Sequence, residues 1–504
     1  MAEIVLFRPS ANEIASHSCP LGLVYIATPL VKKGFTIKII DQEIHHDWLF
    51  ELKNAIDPST ICAGISVMTG RSIKSALEFS KELKQIKQIP IVFGGIHPSL
   101  LPEQTLKNDL VDIVVAGEGE KVFLELVECI KAKGDLSNVK GIMYKKNGAI
   151  CKNKEEGPLD LNFLLDPEYD LIDIEYYFKP GQPFAKEGMV YDLNVDRGCP
   201  YRCAFCYNIK VNKRRWRTAS PEKVLDMIEA VITKYNAKAI NFVSDNFFVD
   251  KNRVLKICEG MIDRNFGIKW TTGMRMDSFL SYENELIELV RDSGCTELTF
   301  GVESGSDRTL GLINKDIKVD DVLKAHKKGK NFNFKVNYHF MIGFPEETKR
   351  DIRQTIKLIL FLTEDKSVTI YGPSIYTPYP GTPLYDKCLE LGFIPPDRLE
   401  SWANYDWAGT SKIPWFSNNF KNYINEVRAV CSHLNVRHME DEKDANNFTS
   451  LCFTIFNVYV RLRAVGLTYS IRLFGLDIKA MQFLRNVFRS ITKKCNPLRK
   501  MRGN

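Results

Sequence analysis

Short, β-branched apolar runs alternate with amphipathic stretches over the first 150 residues. Ile4–Phe7, Ile37–Ile40, Ile61–Val67, Ile89–Phe93 and Ile113–Val115 have the length and character of strands buried on both faces. Between them, Leu21–Lys33 and Ile73–Ile86 carry the period of helices. This alternation predicts an α/β, Rossmann-like doubly wound domain over residues 1–152, with its ligand outside the carboxyl ends of the strands. The glycine-rich segments Gly94-Gly95-Ile96-His97 and Gly117-Glu118-Gly119-Glu120 fall there. Residues 153–187 carry Pro, Gly and acids with weak periodicity and read as a linker. A second strand series follows: Val190–Val195, Ala239–Val243, Lys269–Gly273, Glu297–Val302, Lys335–Ile342 and Val368–Tyr376. One intervening helix opens at Ser220-Pro221-Glu222, a capping serine followed by proline at the first helical position. Six strand–helix repeats without a reversal signal predict a partial (β/α)6 barrel of the TIM type over 188–400. Beyond residue 400 a Trp/Asn-rich loop gives way to a helical C-terminal region with a basic tail, 401–504.

Strand parity adds chemistry to this outline. Lys335, Asn337 and His339 share one face of their strand, as do Asp192, Asn194 and Asp196 of another. A purely structural barrel interior would be filled by branched apolar side chains. Polar inner faces point to a wet, ligand-holding lumen, or to side chains that satisfy one another in a structural network.

Length and composition narrow the class. The 504 residues allow two to four domains, and 44% hydrophobic with 26% charged residues excludes a mostly disordered or coiled-coil chain. No uninterrupted apolar run reaches 18 residues, so a conventional membrane span is excluded. The start, Met1-Ala2-Glu3-Ile4-Val5-Leu6-Phe7-Arg8, reads as a first strand and not as a signal peptide. Thirteen cysteines without a secretion signal indicate a reducing, cytoplasmic setting. The net charge of +7 is uneven: residues 461–504 hold eleven Lys/Arg against Asp477, +10, which leaves −3 for the rest. A protein coated in positive charge to bind nucleic acid is therefore disfavoured. In the tail, Ile471, Leu473, Phe474, Leu476, Ile478, Met481, Phe483, Leu484, Val487 and Phe488 interleave with Arg472, Lys479, Arg485 and Arg489. Such helices either pack on a core with a solvated basic face or lie on an anionic membrane surface.

Three cysteines stand apart from the scatter: Cys199, Cys203 and Cys206, in C-x3-C-x2-C spacing on the loop after a predicted strand. Gly198 and Pro200 shape the turn. Three thiolates on one loop can converge on one metal centre. An iron–sulfur cube wants four ligands, so a distant residue completes it or one iron stays open, as in a catalytic metal site. The spacing alone also admits zinc with a distant fourth Cys or His, or plain loop thiols.

The cysteine loop, with Phe205 before the last cysteine, resembles that of the radical S-adenosylmethionine (SAM) superfamily. Further stations follow in order after successive strands: Ser244-Asp245-Asn246-Phe247, Met274-Arg275-Met276-Asp277, Gly301-Val302-Glu303-Ser304-Gly305, Gly343-Phe344-Pro345-Glu346-Glu347-Thr348 and Pro378-Tyr379-Pro380-Gly381-Thr382-Pro383-Leu384. The resemblance implies a [4Fe-4S] cluster on Cys199, Cys203 and Cys206, its fourth iron chelated by SAM, which reductive cleavage converts to a 5′-deoxyadenosyl radical. It implies Phe205, Ser244, Asp245, Arg275, Glu303 and Ser304 at the SAM site, although no Gly-Gly-Glu is present at the second station. It also implies an electron donor such as flavodoxin or ferredoxin.

The N-terminal stretch resembles the cobalamin-binding domains fused to such enzymes. It does so through Cys19-Pro20-Leu21-Gly22-Leu23-Val24-Tyr25-Ile26-Ala27, Gly34-Phe35-Thr36-Ile37-Lys38-Ile39-Ile40-Asp41, Ile65-Ser66-Val67-Met68-Thr69, Gly94-Gly95-Ile96-His97-Pro98 and Gly117-Glu118-Gly119-Glu120. That resemblance implies a corrin against Ser66, Met68, Thr69, Gly94, Gly95, His97, Gly117 and Glu118. The D-x-H-x-x-G signature of a histidine lower ligand is broken here: Asp41-Gln42-Glu43-Ile44-His45-His46 puts Glu at the histidine position. Together the two resemblances imply a cobalamin-dependent radical SAM enzyme, most simply a C-methyltransferase acting on a small-molecule, lipid or natural-product substrate. A non-methylating reaction such as oxidative ring formation, or a corrinoid or redox sensor without turnover, would use the same parts. The extra N-terminal cysteine triad of methylthiotransferases is missing, because Cys19, Cys62 and Cys129 stand apart.

Overall fold

The computed structural model describes residues 2–10, 18–178, 189–405, 413–434 and 447–469. They fall into two compact units. The first comprises Met1–Gly273, Tyr282–Thr296 and Thr377–Asp406; the second comprises Met274–Ser281, Glu297–Tyr376 and Trp407–Asn504.

The first unit opens with strands β1 (Ile4–Arg8), β2 (Ile37–Asp41), β3 (Cys62–Ser66), β4 (Ile91–Gly94), β5 (Ile113–Val115), β6 (Ile142–Lys146) and β7 (Ala149–Lys152). They form one sheet in the order β2-β1-β3-β4-β5-β6-β7. The first five pair in parallel. Their side chains are shut away from water on both faces, as the adjacent pairs Leu6 and Phe7, Val92 and Phe93, and Ile113 and Val114 show, which is why the runs lack polar alternation. Helices Leu21–Lys32, Ser72–Ile86 and Glu120–Lys131 intervene between strands. The order reverses between β1 and β3, and a crevice opens at the strand ends at such a switch point. The sheet departs from an all-parallel expectation at its edge, where β6 and β7 run antiparallel. Their turn, Asn147-Gly148, has both residues at positive φ (52° and 80°), the conformation of a tight hairpin.

The stretch expected to be a linker is tied down. Leu161, Leu164, Tyr169, Tyr177 and Phe178 are buried. The Glu168 amide donates to Thr28 Oγ1 at 3.0 Å, and the Tyr177 hydroxyl donates to Asp41. Tyr169 meets Tyr191, Tyr235 and Phe178 edge to face. Weak periodicity concealed this because short 3-10 turns and single aromatic anchors carry no repeat. The remainder of that stretch, 179–187, lies outside the described residues.

The same unit holds β8 (Val190–Leu193), a two-residue ribbon of β9 (Asp196–Arg197) and β10 (Arg217–Thr218), then β11 (Ala239–Phe242) and β12 (Lys269–Gly273). β8, β11 and β12 form a parallel ladder with β11 in the middle. Helix Pro221–Tyr235 begins as the sequence predicts, with Ser220 Oγ accepting from the Lys223 amide at 3.2 Å.

The second unit carries β13 (Cys295–Glu303), β14 (Lys335–Ile342) and β15 (Val368–Ile375). β14 pairs in parallel with both of the others. Along β14, Val336, Tyr338 and Phe340 are buried, whereas Lys335 and His339 are exposed. Asn337 on the polar face donates to Glu297 at 2.6 Å, so part of that face does form a mutual network. Helix Lys349–Leu362 starts at a reciprocal cap between Thr348 and Asp351, and helix Asn447–Thr468 is anchored by a buried Arg463–Glu426 ion pair. Among the described residues no helix is long and apolar enough to cross a membrane. Residues 470–504, with most of the tail's cationic period, lie outside the described residues.

Candidate active site

The cysteine loop leaves the ribbon at Arg197 and rejoins it at Arg217. Gly198 sits at φ +83°, and a Cβ there would lie 2.0 Å from the Arg215 carbonyl oxygen, so this position admits only glycine. Asp245, just past β11, holds the loop from one side: Oδ2 accepts from the Gly198 amide at 2.6 Å and Oδ1 from Asn208 Nδ2 at 3.0 Å. Asn246 Nδ2 lies 3.8 Å from Cys199 Sγ, its backbone amide donates to Asp196 Oδ1 at 3.2 Å, and its Oδ1 is buried without a partner among the described residues. The Leu384 amide donates to the Ala204 carbonyl at 3.0 Å, so the last sequence motif supports the loop from below. Beneath the ribbon, the buried Arg253 guanidinium donates to the carbonyls of Phe247 (3.2 Å) and Ala219 (3.3 Å). Burial lowers its pKa to about 10.

Cys203 is buried; Cys199, Phe205 and Cys206 are half-buried. Burial, with the neighbouring Cys203 and Cys199 sulfurs adding to it, pushes the Cys206 thiol up to about 12. Three partly buried thiols whose deprotonated forms would repel one another suit a cationic occupant that takes up the thiolate charge. As they stand, no three His, Cys, Asp or Glu side chains among the described residues are drawn together to metal-ligand distance.

A cavity of about 450 Å³ lies beside this loop, wholly within the first unit. Leu6, Gly64, Ile65, Ser66, Gly94, Gly95, Gly117 and Glu118 line it from the N-terminal sheet. Asn194, Arg197, Tyr207, Asn212, Ser244 and Asp245 line it from the cysteine-loop side. It occupies the switch point between β1 and β3. Gly95, at φ +93°, would bring a Cβ within 2.8 Å of the Val67 carbonyl.

Eight residues were expected against a corrin, and five of them line the cavity: Ser66, Gly94, Gly95, Gly117 and Glu118. The other three do not. Met68 is 51% exposed. His97 is fully buried, bonded through Nδ1 to Thr69 Oγ1 at 3.0 Å, and packed edge-on to Trp402. Burial lowers its pKa to about 4. Thr69 and His97 thus serve the helix start behind the cavity. The Glu118 carboxylate is occupied by Arg217 and by the Leu159 amide at 2.8 Å.

The residues expected at a SAM site are divided. Phe205, Ser244 and Asp245 belong to the first unit, while Arg275, Glu303 and Ser304 belong to the second. Arg275 pairs with Asp277 at 2.9 Å and donates to the Lys315 carbonyl. Glu303, at φ +67°, pairs with Lys315 at 2.8 Å. The two fold back over Gly301, where a Cβ would lie 2.6 Å from Glu303 Oε1. Ser304 is fully buried, 3.1 Å from Thr355 Oγ1. Asp245 spends both oxygens on the loop. On the cavity wall, Asn194 was signalled only by strand parity, and no individual role was expected of Tyr25 or Arg197. The Tyr25 hydroxyl accepts from the Asn194 amide at 3.1 Å.

Fold and site define an α/β enzyme in which a three-cysteine loop and a Rossmann-like domain face one cavity. The radical SAM superfamily model matches residues 193–359, and the B12 binding domain model matches residues 9–127. An uncharacterized methyltransferase of Pyrococcus horikoshii is 32% identical over 393 residues, 77% of this chain and 81% of its own. Anaerobic magnesium-protoporphyrin IX monomethyl ester cyclase of Rubrivivax gelatinosus is 26% identical over 404 residues, covering 78% and 69%. Among solved structures, the cobalamin-dependent radical SAM enzyme OxsB, with aqua-cobalamin and SAM bound, superposes with a TM-score of 0.71 at 17% identity. That match covers 98% of this chain and 75% of OxsB. The methyltransferase TsrM of Kitasatospora setae, with cobalamin and a [4Fe-4S] cluster bound, gives 0.62 at 16% identity, covering 78% and 76%. The chain belongs to the radical SAM enzymes that carry a B12-binding domain.

Proposed function

We propose that the protein is a cobalamin-dependent C-methyltransferase acting on an unactivated carbon of a small organic substrate. The cavity shared by the glycine loops and the cysteine-loop side carries this reading. A methyl carrier and a radical source must open on one volume for transfer to occur. The methyltransferase among the relatives supports transfer over other outcomes. When bound, the cluster with SAM supplies a carbon-centred radical and the corrinoid carries a methyl group.

The chain's own residues bind, orient and shield. Cys199, Cys203 and Cys206 hold the cluster, with Asp245 fixing their loop through the Gly198 amide. Ser66, Gly94, Gly95 and Gly117 give a corrin a wall without protruding side chains. Ser244 and Phe205, on the cysteine-loop side of the first unit, contact SAM. Apolar wall residues such as Leu21, Ile26 and Phe123 keep water from the cavity. In this reading residues 1–152 are the corrinoid module, 188–400 the radical SAM barrel and 401–504 the helical region. A flavodoxin or ferredoxin supplies electrons. The +10 tail is the part suited to anionic membrane contact, which would fit a lipid substrate.

Anaerobic incubation with methyl-labelled SAM, reductant and host extract tests the proposal. Label should appear in a new small molecule together with 5′-deoxyadenosine. An unlabelled product two hydrogens lighter than its precursor would overturn methylation in favour of ring closure, the chemistry named for the cyclase relatives. Protein that binds no hydroxocobalamin would overturn the corrinoid role.

A further inference from the structure

Two arginines face each other across the ribbon that carries the cysteine loop. Arg197 on β9 is the register partner of Arg217 on β10. Like charges directly opposite in an antiparallel pair repel, and a ribbon of two residues a side has no stability of its own. The carboxylates that reconcile them come from the loop after β5 and from the first residue of the helix that follows it. Glu120 takes both terminal nitrogens of Arg197, at 2.5 and 3.2 Å. Glu118 takes Arg217 and lies 3.6 Å from Arg197. Arg197 Nε donates to Asn194 Oδ1 at 3.0 Å, and Arg217 donates to the Leu159 carbonyl at 2.8 Å. These four side chains are only 13–21% exposed, and two positive charges balance two negative ones.

We infer that Glu118, Glu120, Arg197 and Arg217 form a clamp that couples the glycine loop bordering the cavity to the root of the cysteine loop. They are positioning residues: the ribbon closes only when the N-terminal sheet brings its carboxylates to it. Arg197 is two residues from Cys199, and Glu118 adjoins Gly117, so the clamp sets the spacing between whatever the cavity wall holds and whatever the cysteines hold. This rests on the proposed function for its catalytic meaning but not for its geometry. Uncoupling would let SAM be cleaved with no methyl group in place.

The test uses the full chain, anaerobically reconstituted with iron and sulfide. Hydrogen exchange is followed at residues 116–120, 195–206 and, as a folding control, β1. In the double variant Glu118→Gln/Glu120→Gln, both 116–120 and 195–206 should exchange about tenfold or more faster, because each lost charge-assisted bond weakens local closure. β1 should keep its protection. Faster exchange at 116–120 with 195–206 unchanged would overturn the clamp. Should β1 also lose protection, Glu120→Gln alone carries the test, since Glu118 then still separates the arginines. A second readout addresses position. In reduced protein loaded with hydroxocobalamin, the magnetic coupling between cluster and cob(II)alamin should change in Glu120→Gln at unaltered cobalamin content, and identical coupling would overturn the positioning role. Protein that binds no hydroxocobalamin but shows linked exchange would lose the methyltransferase reading and keep the clamp.

Discussion

Substituting Gly198 by alanine should empty the cysteine loop while leaving the sheets intact. The residue sits at φ +83°, and the added methyl carbon would lie 2.0 Å from the Arg215 carbonyl oxygen, 3.0 Å from its carbon and 3.2 Å from Asn212 Cβ. Neither neighbour can simply yield. The Arg215 amide is bonded to the Asn212 carbonyl at 2.8 Å, and Arg214 is bonded to the Pro200 carbonyl on the opposite side of the loop. Left-handed backbone costs an alanine about 1–2 kcal/mol, and forcing a methyl group into a filled space costs about 1–3 kcal/mol more. The sum, about 2–5 kcal/mol, lowers the population of the closed loop by a factor of roughly 30 to several thousand. The Gly198 amide would also leave Asp245 Oδ2. Iron and sulfide analysis after anaerobic reconstitution is the assay, with far-ultraviolet circular dichroism as a control. The parent protein should take up about four irons per chain and the variant a small fraction of that. A Gly198→Ala protein with a full iron complement and the parent's electron paramagnetic spectrum would refute the reasoning.

Three further outcomes are expected. Cys203→Ala should abolish reductive SAM cleavage, measured as 5′-deoxyadenosine; retained cleavage would remove that cysteine from the ligand set. Glu347, fully enclosed in the second unit, has its carboxyl pushed up to about 8 by burial. The unfolded chain loses that proton near pH 4.5 while the native state keeps it, so its contribution to stability falls as pH rises from about 5 to 8. Glu347→Gln should flatten this slope in denaturant melts, and parallel pH profiles for variant and parent would contradict it. Removing residues 470–504 strips nine of the eleven cationic side chains of the tail; sedimentation with anionic vesicles should drop if the tail is interfacial, and unchanged sedimentation removes that role.

The strands were legible because each is a short apolar run with its own period, and the cysteine spacing carried the loop chemistry. What escaped was of a different kind. The hairpin at Asn147-Gly148 had a local signal, but it was overlooked in a chain otherwise read as parallel. Thr69 and His97 looked like cavity residues because they flank glycine loops, yet Trp402, some 300 positions away, covers that side. Ser304 and Asp245 bear suitable side chains, and their hydrogen bonds to Thr355 and Asn208 come from three-dimensional neighbours that no local pattern announces. The ion pairs of Arg197 and Arg217 could not be anticipated, since nothing along the chain links them to Glu118 and Glu120.

The return segment after β15 bears on modularity. Trp402 donates to Gln104 Oε1 at 2.7 Å, Gln104 donates to the Pro396 carbonyl at 2.8 Å, and Asn108 meets Glu400. The vitamin-binding portion is therefore finished by amino acids made almost three hundred codons later. A cassette cut at residue 152 would lose these contacts. On the ribosome, these partners are missing until the chain has emerged as far as Trp402.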